Sequence, residues 1–114
     1  MFRRLQEKDY DSFYRLLSCN SNASFSRKQF QLFLKTVHKN NQVWVKYDIE
    51  DRVIACATVE IETPNEAKIG NILVLPTHQN RGIENELYHL VLTYAQKRGC
   101  QKIRWTSGRL FEKT

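Results

Sequence analysis

Residues 72–87, ILVLPTHQNRGIENEL, constrain this chain more than any other stretch. They open on Ile72, Leu73 and Val74, three apolar residues in a row where a strand with one wet face would alternate. Such a strand is central and covered on both sides. Pro76 and a polar loop containing Gly82 follow, and Ile83, Leu87, Leu90, Val91 and Tyr94 then recur at helical spacing until Gly99 ends the helix. Residues 101–106 make a further strand, and a strand reached through a helical crossover runs parallel to the one it left.

Upstream the pattern changes period several times. Residues 2–5 read as a short strand and residues 9–17 as a helix with Tyr10, Phe13, Leu16 and Leu17 on one face. Ser26 followed by Gln29 is a capping-box pair, so a second helix carries Phe30, Phe33, Leu34 and Val37 and runs to about Lys39. Beyond Asn40-Asn41, Val43, Val45 and Tyr47 alternate with Trp44 and Lys46 as in a half-buried strand. After a turn at residues 49–51, Val53, Ala55, Ala57, Val59 and Ile61 take one face of the next strand, with Glu60 and Glu62 on the other. These two strands make an antiparallel hairpin. Thr63-Pro64-Asn65 is the next turn, and residues 69–75 form the central strand. The order strand, two helices, three strands, helix, strand and a helix stub at residues 110–113 predicts an α/β layered domain.

The length, 114 residues, fits one domain spanning 1–114. Eighteen Lys and Arg against twelve Asp and Glu leave a surface that attracts anions, but the basic residues are scattered singly or in pairs, so a nucleic-acid stripe is not expected. Cys19, Cys56 and Cys100 are odd in number, far apart and without CxxC spacing, which argues against a disulfide framework and a zinc site. No apolar run approaches membrane-spanning length, and the N-terminus lacks an apolar signal segment. A cytosolic protein without a metal or a membrane partner is the expectation.

The chemistry concentrates where the central strand passes into the long helix. N–H groups at a helix start lack intrahelical acceptors and sit at the positive end of the macrodipole, so an anion is stabilised there. Gly82 lets the backbone approach a pyrophosphate without an intervening side chain. Gln79, Asn80, Arg81, Gly82, Ile83 and Glu84 resemble the six-residue motif of the GNAT acetyltransferases, Gln/Arg-x-x-Gly-x-Gly/Ala after a strand often ending in Val-x-Pro. The order of elements is also similar, over nearly the whole chain. The resemblance implies the GNAT fold, a mixed central sheet with flanking helices, here shortened at the C-terminus. It also implies acetyl-CoA as co-substrate, with the pantetheine arm on the free backbone groups of Leu73 and Val74.

Within that family, Lys97-Arg98-Gly99-Cys100 before Gln101-Lys102-Ile103 resembles glucosamine 6-phosphate N-acetyltransferases. An amino-sugar phosphate acceptor, a role in UDP-N-acetylglucosamine synthesis and a homodimer are what this implies. Three positions depart from the pattern. Glu84 replaces the motif's last small residue, Gly70 and Asn71 stand where an acidic pair orients the amine, and Phe111 takes the place of a tyrosine that protonates the leaving thiolate. Asn71 and the Phe111 position are therefore the weak candidates for catalysis, with water, Glu60 or Glu62 as substitute bases. His78 and His89 receive no role, and Cys56 and Cys100 read as core thiols. The departures leave a second class open: a GNAT-fold protein that no longer catalyses and acts by binding CoA or a protein partner.

Overall fold

A computed structural model describes residues 1–19, 26–37 and 41–105, the side chains of Phe33, Thr36, Val37, Asn41 and Asn71 excepted. The elements are β1 (Phe2–Arg4), α1 (Tyr10–Cys19), α2 (Arg27–Val37), β2 (Asn41–Tyr47), β3 (Val53–Thr63), β4 (Glu66–Val74), α3 (Ile83–Lys97) and β5 (Lys102–Trp105). Short 3-10 turns precede α1 at Glu7–Asp9 and follow β4 at Pro76–His78. The expected ends at Lys39 and Thr106, and the helix stub at residues 110–113 with Phe111, lie outside the described residues.

The strands form one sheet in the order β1-β2-β3-β4-β5. The first three pairings are antiparallel and β4–β5 is parallel, as the helical crossover requires. α3 covers one face, through Ile83, Leu87, Val91 and Ala95 against Ala57, Val59, Ala67 and Ile69. α1 and α2 cover the other, through Phe13, Leu16, Leu17 and Phe30 against Val43, Val45, Cys56 and Leu73. The helix signals act locally as read. Ser26 N–H donates to Gln29 Oε1 (2.9 Å) and Gln29 N–H to Ser26 Oγ (3.1 Å), closing the capping box of α2. Gly99, at φ +90°, ends α3 in a Schellman turn, with its N–H on the Gln96 carbonyl and that of Cys100 on the Ala95 carbonyl.

Three expectations need correction. β2 and β3 are not half-wet: residues 53–59 are all buried, because helices lie on both faces of the sheet, and Trp44 packs beneath α3 beside Tyr94. Nor does Val53 share a face with Ala55 and Ala57. Lys46 pairs with Ala55 but Tyr47 with Val53, so Ile54 is an extra residue and the alternation flips there. Val53 accordingly packs with the α1–α2 cluster. β4 also begins earlier than read, at Glu66, since Thr63 pairs directly with Glu66 across Pro64-Asn65.

Candidate active site

Two irregularities in β4 prepare the site. Cys56 pairs with Leu73 and Thr58 with Gly70, so Asn71 and Ile72 together oppose Ala57: a β-bulge. The Thr58 hydroxyl donates to the Gly70 carbonyl at 2.8 Å and anchors its near side. The bulge reverses the alternation, which puts Leu73 on the α1–α2 face and Val74 on the α3 face, beside Ala67 and Ile69. On the other edge β5 pairs only with residues 66–69, ending at Ile69 opposite Trp105. Among the described residues, no strand lies beside residues 70–74 on that side. Their outward N–H and C=O groups are available to something inserted between the strands.

The loop then turns back sharply. Leu75 N–H still donates to the Ile54 carbonyl, Pro76 starts the 3-10 turn, and Gln79 Nε2 reaches the Val74 carbonyl at 3.4 Å. Asn80 and Gly82 both have positive φ, +65° and +78°. Asparagine tolerates that region and glycine favours it. A Cβ on Gly82 would meet nothing within 4 Å, so its backbone angle, not crowding, demands glycine here. Among the described residues, no side chain caps the N-terminus of α3. Its first N–H groups therefore open into a cleft of about 250 Å³ lined by Val74, His78, Gln79, Asn80, Gly82 and Ile83, with Glu84 and Asn85 at the rim.

The structure thus brings Leu73, Val74, Gln79, Asn80, Gly82, Ile83 and Glu84 to one end of β4, with the Asn71 backbone in the bulge two residues before Leu73. Arg81 and Glu84 are exposed. Of the two acids in the first turn of α3, Glu86 is paired with Lys46 of β2 at 2.9 Å, while Glu84 has no ion-pair partner among the described residues. His78 lines the cleft, its Nδ1 at 2.9 Å from Thr77 Oγ1. His89 is exposed, its ring against that of Tyr88.

Glu60 and Glu62 do not reach this place. Glu60 pairs with Lys68, in the half of β4 that β5 covers, and Glu62 sits in a second bulge beyond it. Glu62 accepts from Arg104 at 2.6 Å and lies 3.6 Å from Lys68. The Arg104 hydrogen bond, then its charge and that of Lys68, hold the Glu62 carboxyl below the usual carboxylate range, the wrong direction for a base. Sequence reasoning passed over Tyr88 and Trp105, whose rings meet edge to face at 5.1 Å where β4 and β5 part. Their spacing of 17 residues carries no periodic signal.

A model of the acetyltransferase (GNAT) family matches residues 10–112. The chain belongs to that family. It is an acetyltransferase of GNAT type, and the bulged β4, the parting of β4 from β5 and the glycine-opened α3 are this chain's form of the GNAT fold. Solved structures agree at low identity. An acetyltransferase from Trypanosoma brucei is 19% identical with a TM-score of 0.79, over 95% of this chain and 82% of that one. Glucosamine-6-phosphate N-acetyltransferase from Arabidopsis thaliana is 15% identical with a TM-score of 0.77, over 95% and 82%. Ribosomal-protein-alanine N-acetyltransferase from Brucella melitensis is 15% identical with a TM-score of 0.76, over 96% and 82%. No curated protein matches in sequence. Those named acceptors, glucosamine 6-phosphate and a ribosomal-protein alanine, differ, so the shared fold does not select one.

Proposed function

We infer that the chain is an acetyl-CoA-dependent N-acetyltransferase acting on a small amine, with an amino-sugar phosphate, glucosamine 6-phosphate, as the acceptor to test first. One observation carries the reading: a helix start opened by Gly82, without a side-chain cap among the described residues, adjoins residues 70–74 of β4, which no described strand covers on the β5 side. The residues present suit a CoA-like group. A pyrophosphate would be held by the N–H groups of Gly82, Ile83, Glu84 and Asn85, and the pantetheine arm by the backbone of Leu73 and Val74. Acetyl-CoA supplies an acetyl group activated as a thioester. The chain supplies proximity and backbone N–H groups that polarise a carbonyl. With Glu62 engaged by Arg104, the acceptor's proton leaves to water, which favours amines that reach the site neutral.

The acceptor rests on the likeness around Gly99 and on the Arabidopsis structure, together with a chain of net charge +6 that draws phosphate esters. We place the protein in the cytosol as one domain, on the strength of three cysteines that form no disulfide among the described residues and of the one sheet those residues form. None of the described helices is long and apolar enough to cross a membrane. A homodimer through the β5 edge is supported by Trp105, 55% exposed there, and opposed by Lys102 and Arg104 beside it, since charged edges resist pairing.

A second reading, a GNAT fold that binds without catalysing, draws on the unpaired Glu84 carboxylate beside the proposed pyrophosphate position. Thiol release from acetyl-CoA with glucosamine 6-phosphate separates the two. Acceptor-dependent thiol release supports catalysis; saturable acetyl-CoA binding without release on any small amine supports the second reading.

A further inference from the structure

A cationic cluster lies at the other end of α3, away from the proposed site. Arg4 Nη2 donates to the Tyr94 hydroxyl at 3.0 Å, and Arg98 Nη1 donates to the same oxygen at 2.7 Å. Arg4 stands opposite Trp44 in the β1–β2 register, its guanidinium carbon 5.7 Å from that ring, and the Trp44 and Tyr94 rings are 5.8 Å apart. Three elements thus direct two guanidiniums to one neutral atom, above an aromatic floor.

Comparison with other arginines sharpens the point. Arg3, Arg27, Arg52 and Arg104 each meet a carboxylate. Arg4 and Arg98, like Arg15 and Arg81, meet none among the described residues, but these two converge on one acceptor although their charges repel. A guanidinium carries five donors in a fork suited to oxyanions, and a phenolic oxygen that accepts two hydrogen bonds still has its own proton to give. The dipole at the C-terminal end of α3 tolerates Arg98 but does not explain Arg4, which comes from β1.

We propose that Arg4, Arg98 and Tyr94, with Trp44 beneath them, form a binding site for a small oxyanion, of which a phosphate monoester is the class that best fits the two forks and the hydroxyl. Eleven residues separate Tyr94 from Ile83, about 16 Å along the helix at 1.5 Å per residue, so this site is separate from the cleft at the start of α3. The proposal does not depend on CoA binding. The dipole of α3 opposes an anion at this end and weakens the binding of inorganic phosphate.

Nitrogen-15 spectra of the full chain test it, with sodium phosphate titrated against sodium acetate at constant ionic strength. The Trp44 indole N–H is distinguished from that of Trp105 with Trp105→Phe or, if that variant does not fold, with Trp44→Phe. Phosphate should shift the Trp44 indole and the side-chain N–H groups of Arg4 and Arg98 saturably, and acetate more weakly. Arg4→Gln and Arg98→Gln should each weaken the phosphate response at least fivefold, while any shifts of the Gly82 and Ile83 amides persist. An equal response to acetate would reassign the site to carboxylates and overturn the phosphate class. Shifts confined to Gly82 and Ile83, a response unchanged in Arg4→Gln, or no saturable response in the unaltered chain would overturn the site itself.

Discussion

Lys46 on β2 and Glu86 in the first turn of α3 form an ion pair of 2.9 Å, although 40 residues separate them in the chain. The pair neutralises one of two carboxylates at a helix end where the proposed ligand is an anion. Lys46→Gln should therefore weaken acetyl-CoA binding, by about two- to fivefold at low salt, with the difference shrinking as salt screens it. Calorimetry at two ionic strengths checks this; an effect independent of salt would mean that Lys46 acts by packing, through its place over the Phe2 ring.

Arg3 is structural where Arg4 is not. Its guanidinium meets Asp9 at 2.5 Å and Asp51 at 2.7 Å, and the Asp9 side chain is fully buried. Arg3→Ala would leave that carboxylate inside without its cation, and chemical denaturation should report a loss of about 3–5 kcal/mol. Arg3→Lys should recover only part of it, because lysine lacks the fork that spans both acids.

Acid should destabilise the chain through three carboxylates. Asp51 is held below its ordinary range by hydrogen bonds from Arg3 and then Lys8, Asp48 by the Arg52 N–H, and Glu62 by Arg104. A depressed folded value means stability present above the unfolded value, about 4, and lost as pH falls through the folded one. Stability measured by urea titration should be level near neutrality and decline below about pH 4. Arg104→Gln should make that decline shallower by removing the contribution of Glu62.

The thiols of Cys19 and Cys56 should separate by access. Burial pushes the Cys56 thiol up to about 12, whereas Cys19 is exposed. A disulfide exchange reagent should label Cys19 at once and Cys56 only at the rate of unfolding. Rapid labelling of Cys56 in the folded chain would contradict its place in the core.

The legible parts of this fold are those written in local patterns. Ile72, Leu73 and Val74 announced a strand covered on both faces, Gly82 and Gly99 marked the two ends of α3, and Ser26 with Gln29 capped α2. The illegible parts need a partner strand to exist. The flip at Ile54 and the bulge at Asn71 and Ile72 are defined only by register against a neighbour. Glu62 read as a substitute base because Arg104, 42 residues away, carries no mark of meeting it. The loop residues from Gln79 to Glu84 were recognisable as a group, but the positive φ of Gly82, +78°, was not.

The central claim is that the start of α3 holds the acetyl-CoA pyrophosphate beside Glu84. Calorimetry of the unaltered chain and of Glu84→Gln against acetyl-CoA, paired with amide spectra, tests it most directly. The account predicts saturable binding that shifts the amides of Gly82, Ile83 and Asn85, and affinity about tenfold higher once the like charge is gone, equivalent to about 1.4 kcal/mol. Absence of binding by both proteins, or binding that leaves those three amides unmoved, would contradict it.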